Sequence, residues 1–158
     1  MSSPRLSYDA FGKIAPAARD ALLALGKAAD ESGFDLQIAE LAKLRVSQIN
    51  NCAFCLQIHL NKSRKLGVPQ EKLDLVATWE EAGIFSDKEC AALAWAETLA
   101  RLAGQNIPDS AYDAVRQHFS EEEVVFLSVA VATINAWNRL GAAFRFAPPI
   151  LKRVAAAA

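Results

Sequence analysis

Residues 35–66 read DLQIAELAKLRVSQINNCAFCLQIHLNKSRKL, and this stretch decides the fold. Leu36, Ala39, Leu41, Leu44 and Ile49 recur on one face at the helical period, which predicts a helix from about Asp35 to Gln48. Asn50-Asn51 then makes a turn, because asparagine bonds to its own backbone and tolerates the left-handed region. A second helix is expected at once, from about Cys52 to Leu66. There Gly67 suits the left-handed position just past a helix end, and Pro69 suits the opening of the next element. Two helices joined by so short a corner read as an antiparallel pair.

The same punctuation continues in both directions. On the N-terminal side, Pro16 is placed to open a helix that runs through Leu22, Leu23 and Leu25 to about Asp30, with Gly33 closing the unit. On the C-terminal side, a fourth element runs from Pro69 to near Gly83. Ser86-Asp87-Lys88-Glu89 and Ser120-Glu121-Glu122-Glu123 are capping boxes, which predict helices to about Leu102 and about Phe144. A shorter helix lies between them, from about Asp109 to Phe119. No segment alternates as a half-buried strand does, and no Gly/Ser/Pro-rich linker or repeat divides the chain. The expectation is an all-α bundle of six or seven helices in a single domain over residues 1–158, with an alanine tail at 155–158 that carries no functional signal.

Bulk properties narrow the function classes. A chain of 158 residues that is 53% hydrophobic has enough apolar material for one core, with a surplus that points to a subunit interface. Seventeen basic against eighteen acidic residues leave a net charge of -1, so there is no basic field for nucleic acid or an anionic membrane. Met1-Ser2-Ser3-Pro4-Arg5 has no apolar signal-peptide core, so a cytoplasmic address is expected. The charge-free run from Val124 to Asn138 is shorter than a bilayer requires and reads as a buried helix. Three cysteines are too few for a disulfide scaffold, and the close pair Cys52 and Cys55 points instead to redox or metal chemistry.

At 100° per residue, Cys52, Cys55 and His59 project at about 0°, 300° and 340°, within one arc of about 60°. Both sulfurs fall at the opening of a helix, where free N–H groups and the dipole favour a thiolate. His59 sits one turn beyond Cys55 and can accept or return a proton near neutral pH. In an antiparallel pair, a residue ten before the corner faces one about ten after it, which brings Glu40 alongside His59.

Glu40, eleven intervening residues, Cys52-x-x-Cys55-x-x-x-His59 resembles the core of the AhpD-like alkylhydroperoxidases within the carboxymuconolactone decarboxylase family. Ile134-Asn135-Ala136-Trp137-Asn138-Arg139-Leu140 resembles a stretch of that family's single-motif, peroxidase-related members, so the likeness covers roughly residues 35 to 145. It implies an all-α fold, homotrimers or homohexamers, Cys55 as the peroxidatic residue, Cys52 as the resolving one, and Glu40 with His59 as the proton relay. It further implies a hydroperoxide substrate and a lipoyl or thioredoxin-like dithiol reductant, with no cofactor and no metal. Phe54 stands where the long members carry a histidine, which bears on rate and preferred substrate but not on the disulfide step.

Other readings stand beside this one. The pair could bind zinc, but a structural site wants four ligands and Cys52, Cys55 and His59 supply three. A thioredoxin-like motif needs a strand before it, where residues 35 to 50 are helical in pattern. Lactone decarboxylation, the activity that names the wider family, needs no cysteine pair, and a redox-sensing helical module would need no turnover. Cys90 reads as a small buried hydrophobe and His118 as a solvated residue at a helix end. Asn135, Asn138 and Arg139 read as hydrogen-bonding groups between packed helices, and Trp79, Trp95 and Trp137 as core or interface residues.

Overall fold

In the computed structural model, which describes residues 3–150, every regular element among them is helical. In chain order these are α1 (Tyr8–Ile14), α2 (Pro16–Asp30), α3 (Leu36–Ile49), α4 (Ala53–Lys65), α5 (Gln70–Leu75), α6 (Trp79–Ala82), α7 (Asp87–Ala100), α8 (Asp109–Arg116) and α9 (Glu121–Phe144). A 3₁₀ turn, Val76–Thr78, joins α5 to α6. The all-α reading therefore stands, while the segments outnumber the six or seven expected. Helix α1 went unread because its seven residues are too short to show a period, and it is started locally by Ser7, whose hydroxyl accepts from the Ala10 N–H. The single element expected over 69–83 is divided at Val76, which is wholly buried against Leu41, Leu44 and Leu93. The alanine tail at 155–158 lies outside the described residues.

Helix α3 is the axis of the bundle. Its stretch from Ile38 to Leu44 is buried without interruption, because α4, α7 and α9 pack around it. An amphipathic helix would leave one face in water, so burying the polar Glu40 and Lys43 on this one requires partners for both. Asp35 fixes the start of α3 by accepting from the N–H groups of Gln37 and Ile38. Past α4, Gly67 takes the left-handed conformation expected of it, with φ of 78°.

The 24-residue helix α9 is long and apolar enough to cross a membrane, but it lies against α2, α3, α4 and α7 as a core helix. Both capping boxes form, on Ser86 with Glu89 and on Ser120 with Glu123. Helix α7 stops at Ala100, two residues short of the expected end, where Arg101 leaves helical geometry. After α9, Arg145 turns left-handed with φ of 52° and folds the chain back so that Phe146 enters the core.

Candidate redox site

The site begins at the corner between α3 and α4. Asn50 closes α3, Asn51 adopts a φ of 53°, and Cys52 becomes the N-cap of α4. The Cys52 sulfur accepts from the Cys55 N–H at 3.3 Å, so it occupies the position that a serine or aspartate oxygen takes at other helix starts. Cys52 and Cys55 are joined as a disulfide across a Cα–Cα distance of 5.4 Å. Each is 2% exposed.

Helix α9 covers the sulfurs. A Cβ added at Gly141 would lie 2.7 Å from the Cys52 sulfur and 3.2 Å from the Cys55 sulfur, so glycine is what allows the α9 backbone to come this close. The approach is held by hydrogen bonds. Asn50 donates to Asn135 and Asn138 at 2.9 Å each, and Asn138 donates to the Ser47 hydroxyl at 3.2 Å. Arg139 bonds back to Asn135. Asn135 and Asn138 thus make the contacts between helices expected of them, whereas Arg139 bonds within α9.

The antiparallel packing of α3 on α4 brings Glu40 to His59, with Oε2 and Nδ1 2.6 Å apart. The other Glu40 oxygen accepts from Lys43 at 3.0 Å, and Lys43 also donates to Asp30 of α2 at 2.7 Å. Burial alone would push the Glu40 carboxyl up. The hydrogen bond from His59, with the charges of His59, Lys43 and Lys62, outweighs that cost and holds it down at about 2. Lys43 is raised although its burial works the other way, because Glu40 and Asp30 both favour the charged ammonium.

Cys55, His59 and Lys43 line a cavity of about 450 Å³, whose apolar walls include Tyr8, Phe54, Ile58 and Trp137. Cys52 does not line it and lies behind Cys55, against α9. Tyr8 packs on Phe54 with ring centroids 5.3 Å apart, and Phe54 meets Phe146 at the same distance, so an aromatic wall stands beside the sulfurs. Of the three tryptophans, Trp137 reaches the cavity; Trp95 bonds to Ser128 and Trp79 to Glu97. His118 is exposed. Cys90 is half-buried rather than buried, with its thiol toward the Phe85 carbonyl, because its turn of α7 lies at the bundle edge.

Four contributors escaped the sequence reading: Tyr8, Lys43, Gly141 and Phe146. Only Lys43 left a local signal, standing three residues after Glu40 and so on the same helical face.

The pattern of the carboxymuconolactone decarboxylase family matches residues 16–98, a span that holds Glu40, Cys52, Cys55 and His59. The chain belongs to that family. As a carboxymuconolactone decarboxylase family member it is AhpD-like. Its fold superposes with a TM-score of 0.88 on an Agrobacterium tumefaciens protein of unknown function, for which an AhpD role in antioxidant defence has been suggested. The two are 36% identical, covering 94% of this chain and all of that one. The uncharacterized protein YdfG of Bacillus subtilis (strain 168) is 35% identical over 141 residues, 89% of this chain and 94% of its own length. The AhpD core of a peroxidase-related protein from Ralstonia eutropha JMP134 has the same fold at 21% identity, with a TM-score of 0.77 over 88% of this chain and 74% of that one.

Proposed function

We propose that this family member is a thiol-dependent peroxidase that reduces alkyl hydroperoxides through Cys55 and Cys52, with His59 and Glu40 moving the proton. One observation supports this reading above the others: Cys55 and the carboxylate-held His59 line a single apolar-walled cavity, while Cys52 waits behind Cys55. In the reduced protein the Cys55 thiolate attacks the terminal peroxide oxygen, the O–O bond breaks, and His59 gives its proton to the departing alkoxide. Cys55 is then a sulfenic acid. The Cys52 thiol displaces its oxygen as water, forming the disulfide, and an external dithiol, lipoyl or thioredoxin-like, takes up the oxidation. The working unit is a cytoplasmic homotrimer or homohexamer. A disulfide that cycles sets this reading apart from decarboxylation, which needs no redox change, and multiple turnover sets it apart from a redox sensor.

The test is consumption of cumene hydroperoxide in the presence of dihydrolipoamide. Wild-type protein is expected to turn over repeatedly and to show a Cys52–Cys55 bridge by mass spectrometry. Cys52→Ser, treated with peroxide before any dithiol is added, should consume one equivalent and stop with Cys55 as sulfenic acid, and Cys55→Ser should be inactive. Full activity in Cys55→Ser would sink the assignment of the nucleophile.

A further inference from the structure

We propose that Lys43 is a positioning residue, which pins the second oxygen of Glu40 so that the carboxylate holds His59 by Nδ1 and leaves Nε2 as the nitrogen that works in the cavity. The inference rests on the peroxidase reading for its use, but its geometry stands apart. A buried carboxylate has two oxygens to satisfy, and here the division is complete: Oε2 meets His59 at 2.6 Å and Oε1 meets the Lys43 ammonium at 3.0 Å. Were Oε1 free, Glu40 could rotate, take up a proton, or bind His59 through either ring nitrogen. Nothing in the His59 ring itself selects a tautomer; the partner of Nδ1 does.

Lys43 is in turn held from the far side. Its ammonium lies 2.7 Å from Asp30 of α2, and its side chain is 6% exposed. The charged groups facing the pair come from three helices and one cap: Lys27 and Asp30 of α2 with Glu31 just past its end, Glu40 and Lys43 of α3, and His59 and Lys62 of α4. Among the described residues Lys62 pairs with Asp30, at 3.7 Å, and from its half-exposed position it adds a charge near Glu40 without a hydrogen bond to it, so it does not pin Oε1 as Lys43 does. Removing the Lys43 charge therefore leaves Glu40 and His59 with one fewer buried cation beside them. A further proton on the pair becomes easier to add, and the titration to follow is that of the pair as a unit.

The experiment uses the reduced full chain and two readouts that need no peroxide. The first is ¹⁵N NMR of the imidazoles; there are two histidines, and His118→Gln removes the other resonance. Wild-type His59 is expected as the Nδ1–H tautomer, and Lys43→Met as a mixture of tautomers. The second is the rate of Cys55 alkylation by iodoacetamide against pH, whose acid limb should move to higher pH by about one unit in Lys43→Met. Lys43→Arg should restore both. Should Lys43→Met fail to fold, Lys43→Met with Asp30→Asn removes the ion pair together and must show the same two changes. An unchanged tautomer and an unmoved acid limb would overturn the proposal even if stability fell, since a purely structural lysine moves neither. A wild-type protein inert toward peroxide, with both changes still seen in the variants, would instead count against the peroxidase reading alone.

Discussion

The ionised state of Glu40 is a stability statement as well as a chemical one. Its carboxyl is lowered from 4.5 to about 2, so the folded chain releases this proton more readily than the unfolded chain does. Its stabilisation is therefore complete above about pH 4.5 and is lost as the pH falls toward about 2, a difference on the order of 3 kcal/mol. Glu40→Gln should flatten the acid limb of stability across that window, as read by urea unfolding at stepped pH; an unchanged limb would place the acid sensitivity elsewhere. Gly141 makes the complementary case, in which sterics rather than charge decide. Alanine is the better helix former by about 1 kcal/mol, yet its methyl would sit 2.7 Å from the Cys52 sulfur. In the reduced protein that sulfur can move aside, whereas in the disulfide it cannot. Gly141→Ala should cost the oxidised form about 1–3 kcal/mol while leaving the reduced form nearly unchanged. Paired melts with and without reductant check this, and equal shifts in the two forms would contradict it.

At the scale of elements, the disulfide corner is held in place because α9 is tied to the turn that precedes Cys52. Asn138 is buried, accepts from Asn50 and donates to Ser47, so truncating it strands polar partners on α3 and at the corner. Asn138→Ala should destabilise by about 1–3 kcal/mol in urea melts and, unlike a surface change, should slow closure of the Cys52–Cys55 bridge in a quenched oxidation assay. A cost under about 0.5 kcal/mol would mean that the tie is not structural. These elements also show why part of the site could be read beforehand and part could not. Glu40, Cys52, Cys55 and His59 lie on one hairpin, where helical period and a three-residue corner, Asn50 to Cys52, set their geometry. Gly141 meets the sulfurs, and Phe146 the Phe54 ring, across some ninety intervening residues, and no local periodicity encodes which turn of α9 will face α4. The same limit hid α1, which acquires its meaning only when Tyr8 reaches Phe54, Trp137 and Phe146.

On the scale of the whole molecule, two helix faces expose apolar side chains among the described residues. Helix α2 turns Ala17, Ala21, Ala24 and Ala28 outward at helical spacing, beside exposed Leu25. Helix α9 exposes Val125 and Ala132 seven residues apart, with Val125 52% exposed, and the next step along that face is the charged Arg139. Alanine side chains let helices approach closely, and exposed apolar residues gathered on one helix face suit a contact surface. The 53% hydrophobic composition, which exceeds the ordinary globular share, is accounted for if these faces meet in a homo-oligomer. Val125 is the position at which this can be probed cleanly, because it is half in solvent and makes no part of the Cys55 cavity. A charge placed there costs the isolated subunit little, since exposed substitutions stay within about 0.5 kcal/mol, but it leaves an unpaired carboxylate in any interface that buries the residue. Wild-type protein is expected to show a trimeric or hexameric mass by light scattering at micromolar concentration, and Val125→Glu to show a monomeric mass with the helical circular dichroism spectrum retained. A monomeric wild type would remove the oligomer from the account, and an oligomer that survives Val125→Glu would move the interface away from this face of α9.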